Sequence, residues 1–315
     1  MKLGLVLGLL LVLLAPSARA EGPRRAWSLP DTSGLACAGN GLFLTVHDAK
    51  TDGTKRALRQ PRVGLYWLPD AKRNAPARWR SLTIEWPRPL GAGSDLESVA
   101  RLPGTSSFLM AESGGRDKQG QVFNRVFAVD LAAASAQPRL LGVTTFPVEI
   151  VNVEATAVWR QGERLFFLFA ERGDGDRGSA IQWAELALDP LRIGPVRGSV
   201  PVKPPAPAGP RTRAVAALTL DETGAIFVAS TRDGGDAGPF ASAVWRVGRV
   251  QPAGEGIELA IDAAPTAVAI VDGFKVEGLS FCAGPEGESA LWGAIDDELH
   301  GGGIRALPRR DRPAP

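Results

Sequence analysis

The sequence predicts an all-β protein folded as a β-propeller, and three observations carry that prediction. Five times along the chain a short apolar run that opens on a small or charged residue is followed by a second apolar run that ends in polar residues, and the copies start roughly sixty residues apart. They read SGLACA from Ser33 with LFLTVHD, ESVARL from Glu97 with SFLMAES, EATAVW from Glu154 with FFLFAER, RAVAAL from Arg213 with IFVASTR, and EGLSFC from Glu277 with LWGAIDD. Each repeat also offers two further strand-like runs, which makes the four-stranded unit of a propeller blade. Finally, Gly and Pro supply 62 of 315 residues, and no convincing helical stretch follows the first twenty, as a chain of short strands and many turns requires.

Taken in order, residues 1–20 read as a secretory signal peptide: Lys2, an apolar stretch from Leu3 to Ala15, and Ala18-Arg19-Ala20 as the cleavage motif. That stretch is short for a membrane span and no later segment reaches the roughly twenty apolar residues a span needs. Residues 21–308 form one propeller domain, and 309–315 a disordered tail. The first blade adds RVGLYWL and SLTIEW, the second RVFAVDL and RLLGVTTF, the third IQWAELAL and PVRGSV, the fourth SAVWRVG and IELAID. The fifth adds GGGIRAL and then runs out at Pro308, so Arg25 to Leu29 is expected to supply its outer strand and close the ring. Five blades is the expected count, with six as the alternative if residues 56–86 hide another. VKPPAPAGPR, from Val202 to Arg211, is a stiff connection between blades.

Cleavage after Ala20 removes two basic residues, leaving 34 basic against 34 acidic ones. A nearly neutral chain gives no bulk attraction to nucleic acid or to an anionic membrane, and a periplasmic or secreted location is expected. The two cysteines, Cys37 and Cys282, lie in the first runs of the first and last copies. Ring closure makes those blades neighbours, so the pair is either a disulfide across the seam or two buried thiols.

In a blade the start of the first strand and the end of the second open on the same face. The start position holds Ser33, Glu97, Glu154, Arg213 and Glu277. The paired ends add His47, Glu112, Glu171, Thr231 and Asp296, followed by Asp48, Ser113, Arg172, Arg232 and Asp297. Acids ringed at one mouth repel unless they are protonated, paired with arginine, or bound to a cation. A hard cation such as Ca²⁺ suits oxygen ligands from Glu97, Glu154, Glu277 and Asp296, while zinc is disfavoured by only two His and no Cys pair at ligand spacing. His47 or Glu171 would position water, and Glu112, Arg172, Arg213 and Arg232 would bind a small anionic or ester substrate. The alternative is that these groups are solvated strand ends paired with one another. No GxSxG elbow and no Walker-type loop is present.

At DLESVA, NVEATA and KVEGLS, with MAES, FAER and AIDDE at the paired ends, the chain resembles secreted bacterial propellers of the phytase-like esterase-domain family and related propellers. The resemblance implies Ca²⁺-assisted ester or phosphoester hydrolysis. Ser33 and Arg213 depart from its acidic pattern. A non-catalytic propeller that binds a ligand or a protein on its charged mouth is the competing expectation.

Overall fold

The computed structural model describes residues 30–49, 61–88, 90–116, 120, 122–131, 138–173, 178–209, 211–235, 237–298 and 301–308. They form five antiparallel sheets arranged as a five-bladed propeller, with no α-helix among them. Blade 1 is β1 (Gly34–Gly39), β2 (Leu42–Val46), β3 (Val63–Trp67) and β4 (Arg78–Ser81). Blade 2 is β5 (Leu96–Arg101), β6 (Ser107–Glu112), β7 (Arg125–Asp130) and β8 (Arg139–Thr145). Blade 3 is β9 (Val153–Gln161), β10 (Arg164–Glu171), β11 (Ser179–Leu188) and β12 (Leu191–Val202). Blade 4 is β13 (Thr212–Leu220), β14 (Ala225–Arg232), β15 (Ala241–Ala253) and β16 (Gly256–Asp272). Blade 5 has three strands, β17 (Val276–Ala283), β18 (Ser289–Asp296) and β19 (Gly302–Ala306). The stretch 56–86 hides no sixth blade: its described part gives only the outer strands of blade 1.

The innermost strands, β1, β5, β9, β13 and β17, pack side by side around the axis. Their runs are rich in Gly, Ala and Ser because five backbones must approach closely there. A Cβ on Gly34 would stand 2.9 Å from the Cα of Ser98 in the next blade, and one on Gly278 2.8 Å from the backbone nitrogen of Leu35. The second strands lie between neighbouring blades and are buried on both faces, so LFFLFAE in β10 is an unbroken apolar run rather than an alternating one. Phe166 and Leu168 turn toward blade 4, packing with Val215 and Val228, while Phe167 and Phe169 turn toward blade 2, packing with Leu109 and Val126.

At the seam, Cys37 and Cys282 form a disulfide with Cα atoms 5.3 Å apart, joining β1 to β17 across 245 residues of chain. Arg25 to Leu29, the expected closing strand, lies outside the described residues, as do residues 1–20 and 309–315. Where the described chain begins, the carbonyl of Pro30 lies against Gly302 of β19. No helix among the described residues is long and apolar enough to cross a membrane.

Candidate functional site: the acidic mouth of the channel

The starts of the inner strands meet at one mouth of the axial channel. Arg213, at the start of β13, stands between its neighbours: Nη1 is 3.2 Å from Glu154 and 2.5 Å from Glu277, and Nη2 is 2.6 Å from Asp233. Burial works against its charge, but Glu154, Glu277 and Asp233 more than offset it and hold the guanidinium firmly protonated. Lys275 lies two residues before Glu277 and is fully buried. Its Nζ is 3.2 Å from Glu277, 3.1 Å from Asp296 and 2.5 Å from Glu298. These acids likewise outweigh burial and raise its pKa. Arg172 adds a 3.5 Å contact to Glu154.

Three of the four expected metal ligands are therefore partnered by cations of the chain itself. Glu154 and Glu277 share Arg213, and Glu277 and Asp296 share Lys275. Between those last two, burial and the facing Asp296 push Glu277 up, although Lys275 and Arg213 pull the other way. Burial also works to raise Asp296, but a hydrogen bond from Glu277 and the Lys275 ammonium overcome it and hold Asp296 low. One proton shared between two carboxylates explains the split.

Glu97 is the exception. It makes no hydrogen bond or ion pair among the described residues, and it stands with Asp48 and Asp95 so that one oxygen from each lies within 4.8 Å of the others. Burial pushes its carboxyl well above the usual carboxylate range, and the charges of Glu154, Asp95, Asp48 and Glu277 push it further. Asp31, nearby on the entry to β1, is raised to about 7 by burial and by Asp296, Asp48 and Glu298. Among the described residues carboxylates outnumber cations at this mouth, and beyond it the channel narrows to a void of about 10 Å³ lined by Glu154, Thr156 and Glu277. There Thr156 donates to Ser98 at 3.0 Å, bridging blades 3 and 2.

Several expected site residues make structural contacts of their own. His47 is not placed to act as a general base: it is buried, its Nδ1 donates to the carbonyl of Asp31 at 2.6 Å, and its Nε2 lies 3.2 Å from Thr45 Oγ1. Burial lowers its pKa to about 4, against the opposing pull of the Asp31 carbonyl and Asp296, and the neutral ring packs edge-on to Trp79. Glu171 accepts backbone N–H groups of Val151, at 2.6 Å, and Asn152, and so fixes the chain entering β9. Glu112 is fully buried in an ion pair with Arg125 at 2.5 Å, where the sequence reading had expected a ligand-binding group. Arg232 donates to the carbonyl of Ala208 and steadies the connection between blades 3 and 4.

Sequence reasoning missed Lys275 and Asp95, and the signal was available. Two residues before each strand start stand Asp31, Asp95, Asn152, Arg211 and Lys275, a second polar column. In extended chain, residues two apart share a face, so this column extends the first one outward along the mouth. Asp95 needs one further device, a left-handed backbone with φ of +56°, which aspartate tolerates better than most residues.

The pair Glu112–Arg125 supports this arrangement from beneath. Arg125 Nη2 donates to the carbonyl of Ala92 at 2.9 Å and Nη1 to that of Leu90, while Glu112 accepts the N–H of Ser94 at 2.9 Å. The loop that delivers Asp95 and Glu97 is thereby tied to the floor of blade 2. Ser113 closes the set with a 2.5 Å hydrogen bond to Asp95.

No protein-family model and no curated protein matches the chain. Nothing thus supports the phytase-like esterase family, although the propeller that the resemblance implied is present. Among solved structures the chain is similar to a thermostable family-43 glycoside hydrolase, with a TM-score of 0.52 at 12% identity over 89% of both chains. It is also similar to a GH32 β-fructofuranosidase from Bombyx mori solved with sucrose, with a TM-score of 0.50 at 12% identity over 89% of this chain and 60% of that one. At such identity these likenesses establish the shared fold, a five-bladed-type propeller.

Proposed function

We propose that the chain is a secreted hydrolase that cleaves glycosidic bonds at the acidic channel mouth by carboxylate acid–base catalysis. The observation that carries the reading is Glu97, a carboxyl at the mouth that has no cation beside it among the described residues and is pushed toward its protonated form, next to acids paired with Arg213 and Lys275. Glycoside cleavage uses two carboxyl groups in unlike states, one protonating the leaving oxygen and one activating water or attacking the sugar. In this reading Glu97 is the acid. Glu154, paired with Arg213 and Arg172 and facing Glu97 from the next blade, is its partner. The solved propellers of similar fold, a glycoside hydrolase and a fructofuranosidase, favour a glycosidic over an ester bond. The disulfide fits an oxidising compartment and supports secretion.

The test is hydrolysis of a panel of 4-nitrophenyl furanosides and pyranosides by the wild type and by Glu97→Gln. The wild type is expected to release nitrophenol from at least one. Glu97→Gln should lose about 10²-fold or more in kcat with its melting temperature not lowered. Equal activity of the two proteins would overturn the assignment.

The spacing of Asp48, Asp95 and Glu97 favours a second reading, in which the three hold Ca²⁺ and Glu97 is ionised by the metal. An all-oxygen donor set suits that ion. Under this reading chelation lowers the melting temperature and added Ca²⁺ alone restores it. Under the first it does neither.

A further inference from the structure

The far end of the same channel carries a second site that the acidic mouth does not use. Beyond the narrow waist, the five inner strands diverge into a funnel of about 460 Å³, the size of a small-molecule pocket. Its walls are the apolar ends of those strands, among them Leu35, Val99, Val158, Leu218, Leu279 and Phe281. Trp159 also lines it, and its indole N–H is buried with no acceptor among the described residues.

Two exposed arginines stand at the rim on the side of blades 2 and 3. Arg160 Nη2 donates to the carbonyl of Pro103 at 2.8 Å, and Arg101 Nε donates to that of Thr105 at 2.9 Å. Both guanidiniums are thus drawn to one turn, the β5–β6 hairpin, and neither has an ion pair among the described residues. Arg101 Nη1 also reaches the carbonyl of Cys37 at 3.4 Å; both guanidiniums are held by neutral carbonyls alone among the described residues and keep further N–H donors and a full charge to offer. On the blade 4 side the rim is acidic, but Asp221 spends Oδ1 on its own turn, accepting from Thr223 N and Oγ1 and from Ala225 N. Glu222 beside it is exposed.

We propose that this funnel binds an amphiphilic monocarboxylate, with its apolar body in the funnel and its carboxylate on Arg101 and Arg160. An apolar cavity alone would accept any hydrophobe. The two arginines add planar forks that suit a carboxylate bidentately and more strongly than a neutral head group. Asp221 and Glu222 across the rim repel a second negative charge, which selects a monoanion over a dianion. The site is separate from the acidic mouth, so it stands whether or not that mouth hydrolyses glycosides.

The experiment is isothermal titration of the full chain with decanoate, decanol and decylamine. Decanoate is expected to bind at one site per chain, at least tenfold more tightly than decanol, with decylamine weakest. Arg101→Ala/Arg160→Ala should lose that tenfold preference while Glu97→Gln keeps it. If the double alanine variant does not fold, Arg101→Lys/Arg160→Lys decides, since it keeps the charges but loses the forks, and an intermediate preference is expected. Trp fluorescence should change on decanoate binding in the wild type and change less in Trp159→Phe. The proposal is overturned if decanoate does not bind, if decanol binds as tightly, or if the arginine variants bind decanoate as the wild type does.

Discussion

His47 shows how one residue type at one position supports opposite expectations until its surroundings are known. A histidine beside an aspartate at a strand end reads as a general base, but the ring is turned inward to donate to the Asp31 carbonyl and lies buried against Trp79. Its pKa of about 4 has a consequence for stability. Between pH 6.5 and 4 the unfolded chain binds a proton there and the folded chain does not. The contribution is fully present above about pH 6.5 and is lost as pH falls through that window. The loss amounts to about 3 kcal/mol by linkage. His47→Asn, which keeps an N–H donor, should flatten that part of the stability profile in urea unfolding at stepped pH. An unchanged slope would show that the histidine titrates normally. The same inward turn explains why the sequence misled: strand-end position is legible from the repeat, whereas the rotamer depends on Trp79 and Asp31. Glu97 was legible by column. Lys275 lay in a column two residues earlier that only the face-sharing of extended chain makes meaningful.

At the scale of elements, the repeat made blade strands legible because the inner strands are built of small residues and the second strands are largely apolar, and packing between blades demands both. The loops were less legible. MAES and FAER look alike, but Glu112 receives Arg125 from its own blade whereas Glu171, among the described residues, receives backbone N–H groups, a difference set by what the third strand begins with. Arg125 starts β7, and at the corresponding place β11 starts with Ser179, which donates to the carbonyl of Glu171. Glu112 and Arg125 are both buried, so removing one leaves the other charge stranded. Glu112→Ala should cost about 3–5 kcal/mol. It should also speed hydrogen exchange across residues 90–95, since Arg125 and Ser94 lose the acceptor that pins the loop. A variant as stable as the wild type, with an unchanged exchange pattern, would contradict the clamp.

For the whole molecule, five blades closed into a ring followed from the period and from an incomplete last copy, and the seam disulfide turns on that closure. Cys37 and Cys282 stand at the two ends of the described propeller, and a bridge spanning 245 residues removes much chain entropy from the unfolded state. Replacing both by Ser should lower stability by about 5–6 kcal/mol in the loop-entropy model. Denaturant unfolding checks this, and a loss under about 1 kcal/mol would mean that packing of β1 on β17 holds the seam by itself. What the repeat left undetermined was the charge balance at the mouth, since Arg213 and Lys275 neutralise acids that look, in sequence, like metal ligands. The central claim is that ring closure leaves one of those acids, Glu97, without a cation partner among the described residues and pushed toward its protonated form. Its most direct test is a ¹³C NMR titration of the side-chain carboxyl of Glu97, assigned by its loss in Glu97→Gln, in calcium-free buffer and again with Ca²⁺. The account predicts a midpoint well above the ordinary carboxylate range in both. A midpoint near that of a free glutamate without calcium, or one that falls to it when calcium is added, would contradict it.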